Sequence, residues 1–161
     1  MVEINVRQIK KEDDPILARI IKNTLAEFGA ARPGTVAFDP TTDHLSDLFS
    51  VSKSVYYVAE VNGEIMGGAG IFPTQGLPDD TCELVKMYLL KESRGKGLGK
   101  SLIYKCIEFA KSQGYLRMYL ETLPELESAI HVYQSLGFHS LDKPMGNSGH
   151  FGCSLWMIRE I

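Results

Sequence analysis

Three glycines, Gly95, Gly97 and Gly99, alternate with Lys96 and Leu98 between Arg94 and Lys100, in the stretch KESRGKGLGKSL (Lys91–Leu102). This stretch constrains the fold more than any other. It follows an apolar run, CELVKMYLL (82–90). It precedes residues at helical spacing: Leu98, Leu102, Cys106 and Phe109 form one stripe, with Ile103, Ile107 and Ala110 beside it. The pattern predicts a strand, a glycine turn near Gly97, and a helix that Gly114 stops. Such a turn leaves several N–H groups at the helix start without acceptors, and the helix dipole adds partial positive charge there. Glycine lets a ligand approach the backbone where a Cβ would collide. The turn is suited to a pyrophosphate, with Lys96 and Lys100 adding positive charge. A plain helix start with glycine turns is the other reading of the same residues.

Counting positions separates three phosphate motifs. A P-loop needs G-x-x-x-x-G-K-[ST]. Gly99, Lys100 and Ser101 supply its second half, but the first glycine falls on Arg94. The dinucleotide fingerprint G-x-G-x-x-G fits Gly95 and Gly97 and then meets Lys100. The pattern [QR]-x-x-G-x-[GA] is met in register by Arg94, Gly97 and Gly99.

The rest of the chain supplies a mixed sheet. VEINVRQI (2–9) alternates like a half-buried strand. Asp13-Asp14-Pro15 opens a helix carrying Ile16, Leu17, Ile20, Ile21, Leu25 and Phe28, and Gly29 ends it. Residues 30–40 look irregular, and a short helix is expected over 43–49. Asn62-Gly63 joins strands at about 55–61 and 64–72 as a hairpin. A Gly/Pro/Asp loop (73–80) leads to the strand at 82–90. A further strand is expected over 115–122, a helix from Pro124 to Gly137 with Leu126, Ile130 and Tyr133 inward, and two last strands at 138–141 and 153–161. The predicted fold is a single α/β domain over 1–161, in the order βααβββαβαββ, with one interior β–α–β crossover.

Composition excludes some functions. At 161 residues the chain is the length of one domain, and its net charge of −3 offers no broad basic surface for nucleic acid. No stretch approaches the roughly 20 apolar residues of a membrane span, and the first residues do not read as a signal peptide. Cys82, Cys106 and Cys153 suit free thiols in a reducing cytosol, so a cytoplasmic location is expected. His150 and Cys153 lack a second pair of ligands, so no metal is expected.

Residues 82–138 resemble the GNAT superfamily of N-acetyltransferases. CELVKMYLLKESRGKGLGKSL is similar to that family's fourth strand, phosphate loop and third helix. YLETLPELESAIHVYQSLGF is similar to its fifth strand and fourth helix, closing on Y-x-x-x-G-F. The resemblance implies helices on both faces of the sheet and a splay between strands four and five. It implies acetyl-CoA as co-substrate, without a metal. The N–H groups of Gly95, Gly97, Gly99 and Lys100 would hold its pyrophosphate, with Arg94, Lys96, Leu98 and Ser101 in the loop. Met87, Tyr88 and Leu89 would pair their main chain with the pantetheine arm. An N–H of Met87 or Leu89 would polarise the thioester carbonyl. In many members an Asn that contacts CoA stands where this chain has Leu126.

Acetyl transfer to an amine poses two proton problems. An alkylammonium, with a pKa near ~10, must lose a proton, and the leaving thiolate is helped by gaining one. Glu83 stands eleven residues before Arg94, where some members carry a catalytic glutamate. Its neighbours Cys82 and Leu84 are apolar, and burial raises a carboxyl toward the range of a useful base. A strand-end pairing with Lys86 is the alternative. Tyr133 matches the family's general acid, or else it is a core tyrosine. Arg32 and His44, in the variable region, and His150, near Asn147 and Cys153, are candidate acceptor contacts, Arg32 for a carboxylate. The expected partner is a small-molecule, amino-acid or peptide amine, and the family often dimerises. A CoA-binding module with little catalysis and a nucleotide-binding protein are the rival readings.

Overall fold

The computed structural model describes residues 2–161. Its strands are β1 (Ile4–Gln8), β2 (Val55–Val61), β3 (Glu64–Phe72), β4 (Thr81–Leu89), β5 (Arg117–Thr122), β6 (His139–Leu141) and β7 (Leu155–Glu160). Its helices are α1 (Asp14–Glu27), α2 (Leu45–Leu48), α3 (Leu98–Ser112) and α4 (Glu127–Ser135). The strands form one sheet, ordered β1-β2-β3-β4-β5-β7-β6. Only β4 and β5 run parallel; the other neighbours are antiparallel.

The side-chain alternation of a strand sorts β2 onto two cores. Val55, Tyr57 and Ala59 join Leu102, Ile103, Cys106 and Ile107 of α3 on one face. Tyr56 and Val58 join Leu17, Ile21 and Leu25 of α1 on the other. Helices therefore cover both faces, as expected. Asn62 and Gly63 both adopt positive φ, 52° and 82°, the conformation of a tight hairpin turn. Gly29 ends α1 at φ 67°.

The fourth helix differs in detail. Its inner face is Ala129, Val132, Tyr133 and Leu136. Leu126, just before the helix, packs on the α1 side instead, and Ile130 is only half-buried. The helix begins at Glu127, so the inner stripe falls three residues after Leu126 rather than on it.

Two features of β4 shape the site. It pairs with β5 only at Thr81–Arg117, Cys82–Met118 and Glu83–Tyr119. Beyond Glu83 the two strands part, while β5 stays paired with β7 as far as Thr122. This is the expected splay. The second feature is a bulge, absent from the sequence reading. The β3 partners step from Gly68 to Gly70 while those on β4 step from Tyr88 to Val85. Lys86 is the inserted residue, at φ 53°. Its carbonyl accepts the buried Tyr56 hydroxyl at 2.8 Å. The extra residue resets the alternation, so Met87 and Leu89 face the α3 core and Tyr88 the α1 core.

Among the described residues no helix is long and apolar enough to cross a membrane, and no group of three or more His, Cys, Asp or Glu is placed to hold a metal ion. Cys82, Cys106 and Cys153 are free thiols.

Candidate active site

A cleft of about 400 Å3 opens between the end of β4, the glycine turn and α4, with Thr24 and Phe28 of α1 at its side. A smaller cavity of about 30 Å3 lies deeper in the splay, lined by Glu83, Lys86, Glu121, Tyr133, His150 and Cys153 among others. Met87, Tyr88 and Leu126 border both, so the two are adjacent.

The cleft wall at the glycine turn is backbone. Among the described residues, no acceptor is found for the N–H groups of Gly95 through Lys100; the first paired one is Ser101, which donates to the Gly97 carbonyl at 3.1 Å. Gly95 and Gly97 take φ of 78° and 79°, and a Cβ on either would project into open space. Gly99 rests on the Met87 and Leu89 side chains, each 3.8 Å from where its Cβ would be. Unpaired N–H groups, a helix start and open space at the glycines fit an anionic ligand.

The side chains around the turn divide. Lys100 lines the cleft, whereas Lys96 and Ser101 are exposed and do not. Leu98 borders the cleft, and its side chain is buried against Val61 and Met66. Arg94 borders the cleft, but its guanidinium holds Glu27 through two contacts, 2.8 and 3.1 Å, and donates from Nε to the Leu89 carbonyl at 3.0 Å. Ser128 lines the cleft near Leu126 and offers a hydroxyl there.

Glu83 is 2% exposed and accepts a hydrogen bond from Thr74 Oγ1 at 2.6 Å. Burial pushes its carboxyl up to about 7, against the Thr74 hydrogen bond and helped by the Glu121 charge. It is not paired with Lys86. That lysine sends its Nζ to Asp39 Oδ2 and Thr42 Oγ1, each at 3.3 Å. Burial lowers the Lys86 ammonium, opposed by Asp39. Tyr133 is buried, with its ring edge-on to Phe138 at 5.9 Å. Burial raises its hydroxyl well above the usual tyrosine range, which keeps it a proton donor. Among the described residues that hydroxyl has no hydrogen-bond partner, although the ring borders the cavity. The sheet therefore brings Glu83 and Tyr133 to one small space.

The acceptor candidates fare differently. His150 lines the cavity, with Nε2 2.7 Å from Asp39 Oδ2. Burial opposes ionisation of Asp39, but the His150 hydrogen bond, the Lys86 charge and Thr41 outweigh it and hold the carboxyl below the usual range. Arg32 meets Glu125 at 2.5 Å. His44 is exposed at the start of α2 and lines neither hollow. Asn147 is exposed, its N–H on the Gln75 carbonyl at 2.7 Å. Cys153 lines the cavity, and burial pushes its thiol up to about 12, too high for a nucleophile.

Two residues of this site escaped the sequence reading. Glu121 accepts from Tyr119 at 2.7 Å and from Ser148. Alternation along β5 places it on the face of Tyr119, which pairs with Glu83, so the signal was present. The role of Asp39 at the cavity had no local signal, because Lys86 and His150 are 47 and 111 residues away.

Three comparisons bear on this arrangement. Residues 21–138 match the acetyltransferase (GNAT) family. The chain is 41% identical over 157 residues to the uncharacterized N-acetyltransferase YjgM of Escherichia coli (strain K12), covering 97% of this chain and 94% of that one. Its fold is similar to an acetyltransferase of the GNAT family from Staphylococcus aureus Mu50, at TM-score 0.84 and 23% identity over 98% of this chain and 99% of that one. It is also similar to the paiA N-acetyltransferase of Thermoplasma acidophilum in complex with coenzyme A, at TM-score 0.77 and 16% identity over 99% of this chain and 99% of that one.

Proposed function

The chain belongs to the GNAT acetyltransferase family, and on that premise we propose that it moves an acetyl group from acetyl-CoA to a primary amine by direct attack in a ternary complex. The observation that carries this is the run of unpaired N–H groups from Gly95 to Lys100, opening on a cleft that leads to the buried Glu83. The bound coenzyme A of the Thermoplasma acidophilum structure supports the choice of ligand.

In this reading the turn holds the pyrophosphate, and Met87, Tyr88 and Leu89 hold the pantetheine arm along the free edge of β4. Acetyl-CoA supplies an activated thioester whose carbonyl accepts from an N–H of Met87 or Leu89. Glu83 takes the first proton from the acceptor ammonium, directly or through water, and passes it to solvent. The freed nitrogen bonds to the acetyl carbon as the carbon–sulfur bond breaks. Tyr133 gives its proton to the departing sulfur, and the second nitrogen proton replaces it. A carboxyl near 7 suits the first task at neutral pH, and a tyrosine kept protonated suits the second. The three thiols are all raised by burial, which argues against an acyl-enzyme.

The test is acetyl-CoA-dependent release of free CoA thiol across a panel of amines, beside thermal shifts with acetyl-CoA, CoA and ATP-magnesium. Acetyl-CoA and CoA should raise the melting temperature and ATP should not. Stabilisation by ATP and none by CoA would sink the reading. Stabilisation by CoA with no turnover would leave a binding module.

A further inference from the structure

The charges around the cavity are unevenly matched. Lys86 and His150 converge on one carboxylate, Asp39, at 3.3 and 2.7 Å. Arg32 holds Glu125 at 2.5 Å. Lys86 and Arg32 thus each hold a carboxylate, and His150 shares Asp39 with Lys86. The two carboxylates lining the cavity, Glu83 and Glu121, have no such cation. Glu83 accepts from Thr74, and Glu121 from Tyr119 and Ser148, all neutral hydroxyls. An entering ammonium finds two carboxylates that no cation contacts directly. An entering carboxylate finds the same two and no free cation, in a space where water does little to screen the repulsion.

Size sharpens the point. The cavity, about 30 Å3, has room for little more than a water-sized group. An amine nitrogen fits, and the body that carries it must lie at the mouth. Phe38 and Phe151 stand 60% and 82% exposed, each the chain neighbour of one member of the Asp39–His150 contact, whose His150 lines the cavity. Two exposed rings beside a polar cavity offer an apolar seat.

Resting on the acetyltransferase reading, we infer that the acceptor is a small primary amine on an apolar or aromatic body, with no carboxylate on the carbon next to nitrogen. Glu121 then holds the ammonium while Glu83 deprotonates it, and Phe38 and Phe151 seat the body. Free α-amino acids, which carry that carboxylate, are disfavoured.

Three matched acceptors test this on the wild-type chain: phenethylamine, phenylalanine amide and phenylalanine. The first two should exceed phenylalanine in kcat/KM by about a hundredfold, because the amide keeps the size and removes the charge. Glu121→Gln should raise KM for phenethylamine and narrow the gap to about tenfold or less. Phe151→Ala should reduce the preference for phenethylamine over methylamine. Phenylalanine turned over as well as its amide would overturn the inference, and this arm needs no variant to fold. Turnover of none of the three, with acetyl-CoA still raising the melting temperature, would overturn the acceptor class and leave the transferase reading standing. No turnover and no stabilisation by acetyl-CoA would remove both.

Discussion

Arg94 and Glu27, 67 residues apart, hold each other through paired contacts of 2.8 and 3.1 Å. The same guanidinium lies over the Phe28 ring, 5.0 Å from its centroid. An arginine that opens a phosphate motif therefore directs its charge to the end of α1. It ties that helix to the loop that follows β4, and both border the cleft.

If Arg94 acts by positioning, Glu27→Ala and Arg94→Ala should raise KM for acetyl-CoA together, each roughly tenfold, with kcat little changed. Steady-state kinetics decide. An effect of Arg94→Ala that Glu27→Ala does not share would mean that Arg94 touches the phosphates itself.

Glu83→Gln should lower kcat by about a hundredfold or more while acetyl-CoA still binds. A base must be deprotonated to act, so the wild-type rate should climb as pH rises through about 7, and the variant should lose that limb. Stability runs the other way. The folded-state pKa is raised above its ordinary 4.5, so the native chain binds more protons than the unfolded one between 4.5 and about 7. Stability falls with pH across that window. Glu83→Gln should therefore melt higher than wild type at pH 8, and the difference should shrink toward pH 4. A variant that melts no higher at pH 8 contradicts the desolvated carboxyl.

Tyr133→Phe should lower kcat by about a hundredfold and leave the melting temperature nearly unchanged. Among the described residues its hydroxyl has no partner to lose, and the ring stays packed on Phe138. Unaltered turnover would return Tyr133 to a purely structural role.

Asp39→Ala leaves the buried Lys86 ammonium without its carboxylate and unpins His150 from the segment before α2. The expected loss is about 3 kcal/mol of unfolding free energy, read by urea denaturation. Asp39 has a depressed folded-state pKa, so its contribution is full above the ordinary carboxylate range and fades as pH falls through the lowered value. The wild-type advantage over Asp39→Ala should shrink in acid. A loss well under 1 kcal/mol at pH 7 would show that Lys86 finds another partner.

Most of the fold was legible because its signals are local. The glycine turn, the Asn62-Gly63 hairpin, the stripe of α3 and the closing strands each depend on residues within one or two turns of chain. The same locality placed Glu83 on β4 and Tyr133 on α4. The bulge at Lys86 was invisible, because it exists to match β4 to β3 and to meet the Tyr56 hydroxyl 30 residues away. Pairings were invisible for the same reason. Lys86 sits three residues from Glu83 in sequence, yet it turns to Asp39, and Arg32 turns to Glu125. Sequence alone determined a glycine turn between a strand and a helix, and with it the family. Only the tertiary structure decided which charges are left unmatched around the cavity. Charge matching is a sum over groups that the folded chain brings together from distant positions, and in a buried space that sum governs what can enter.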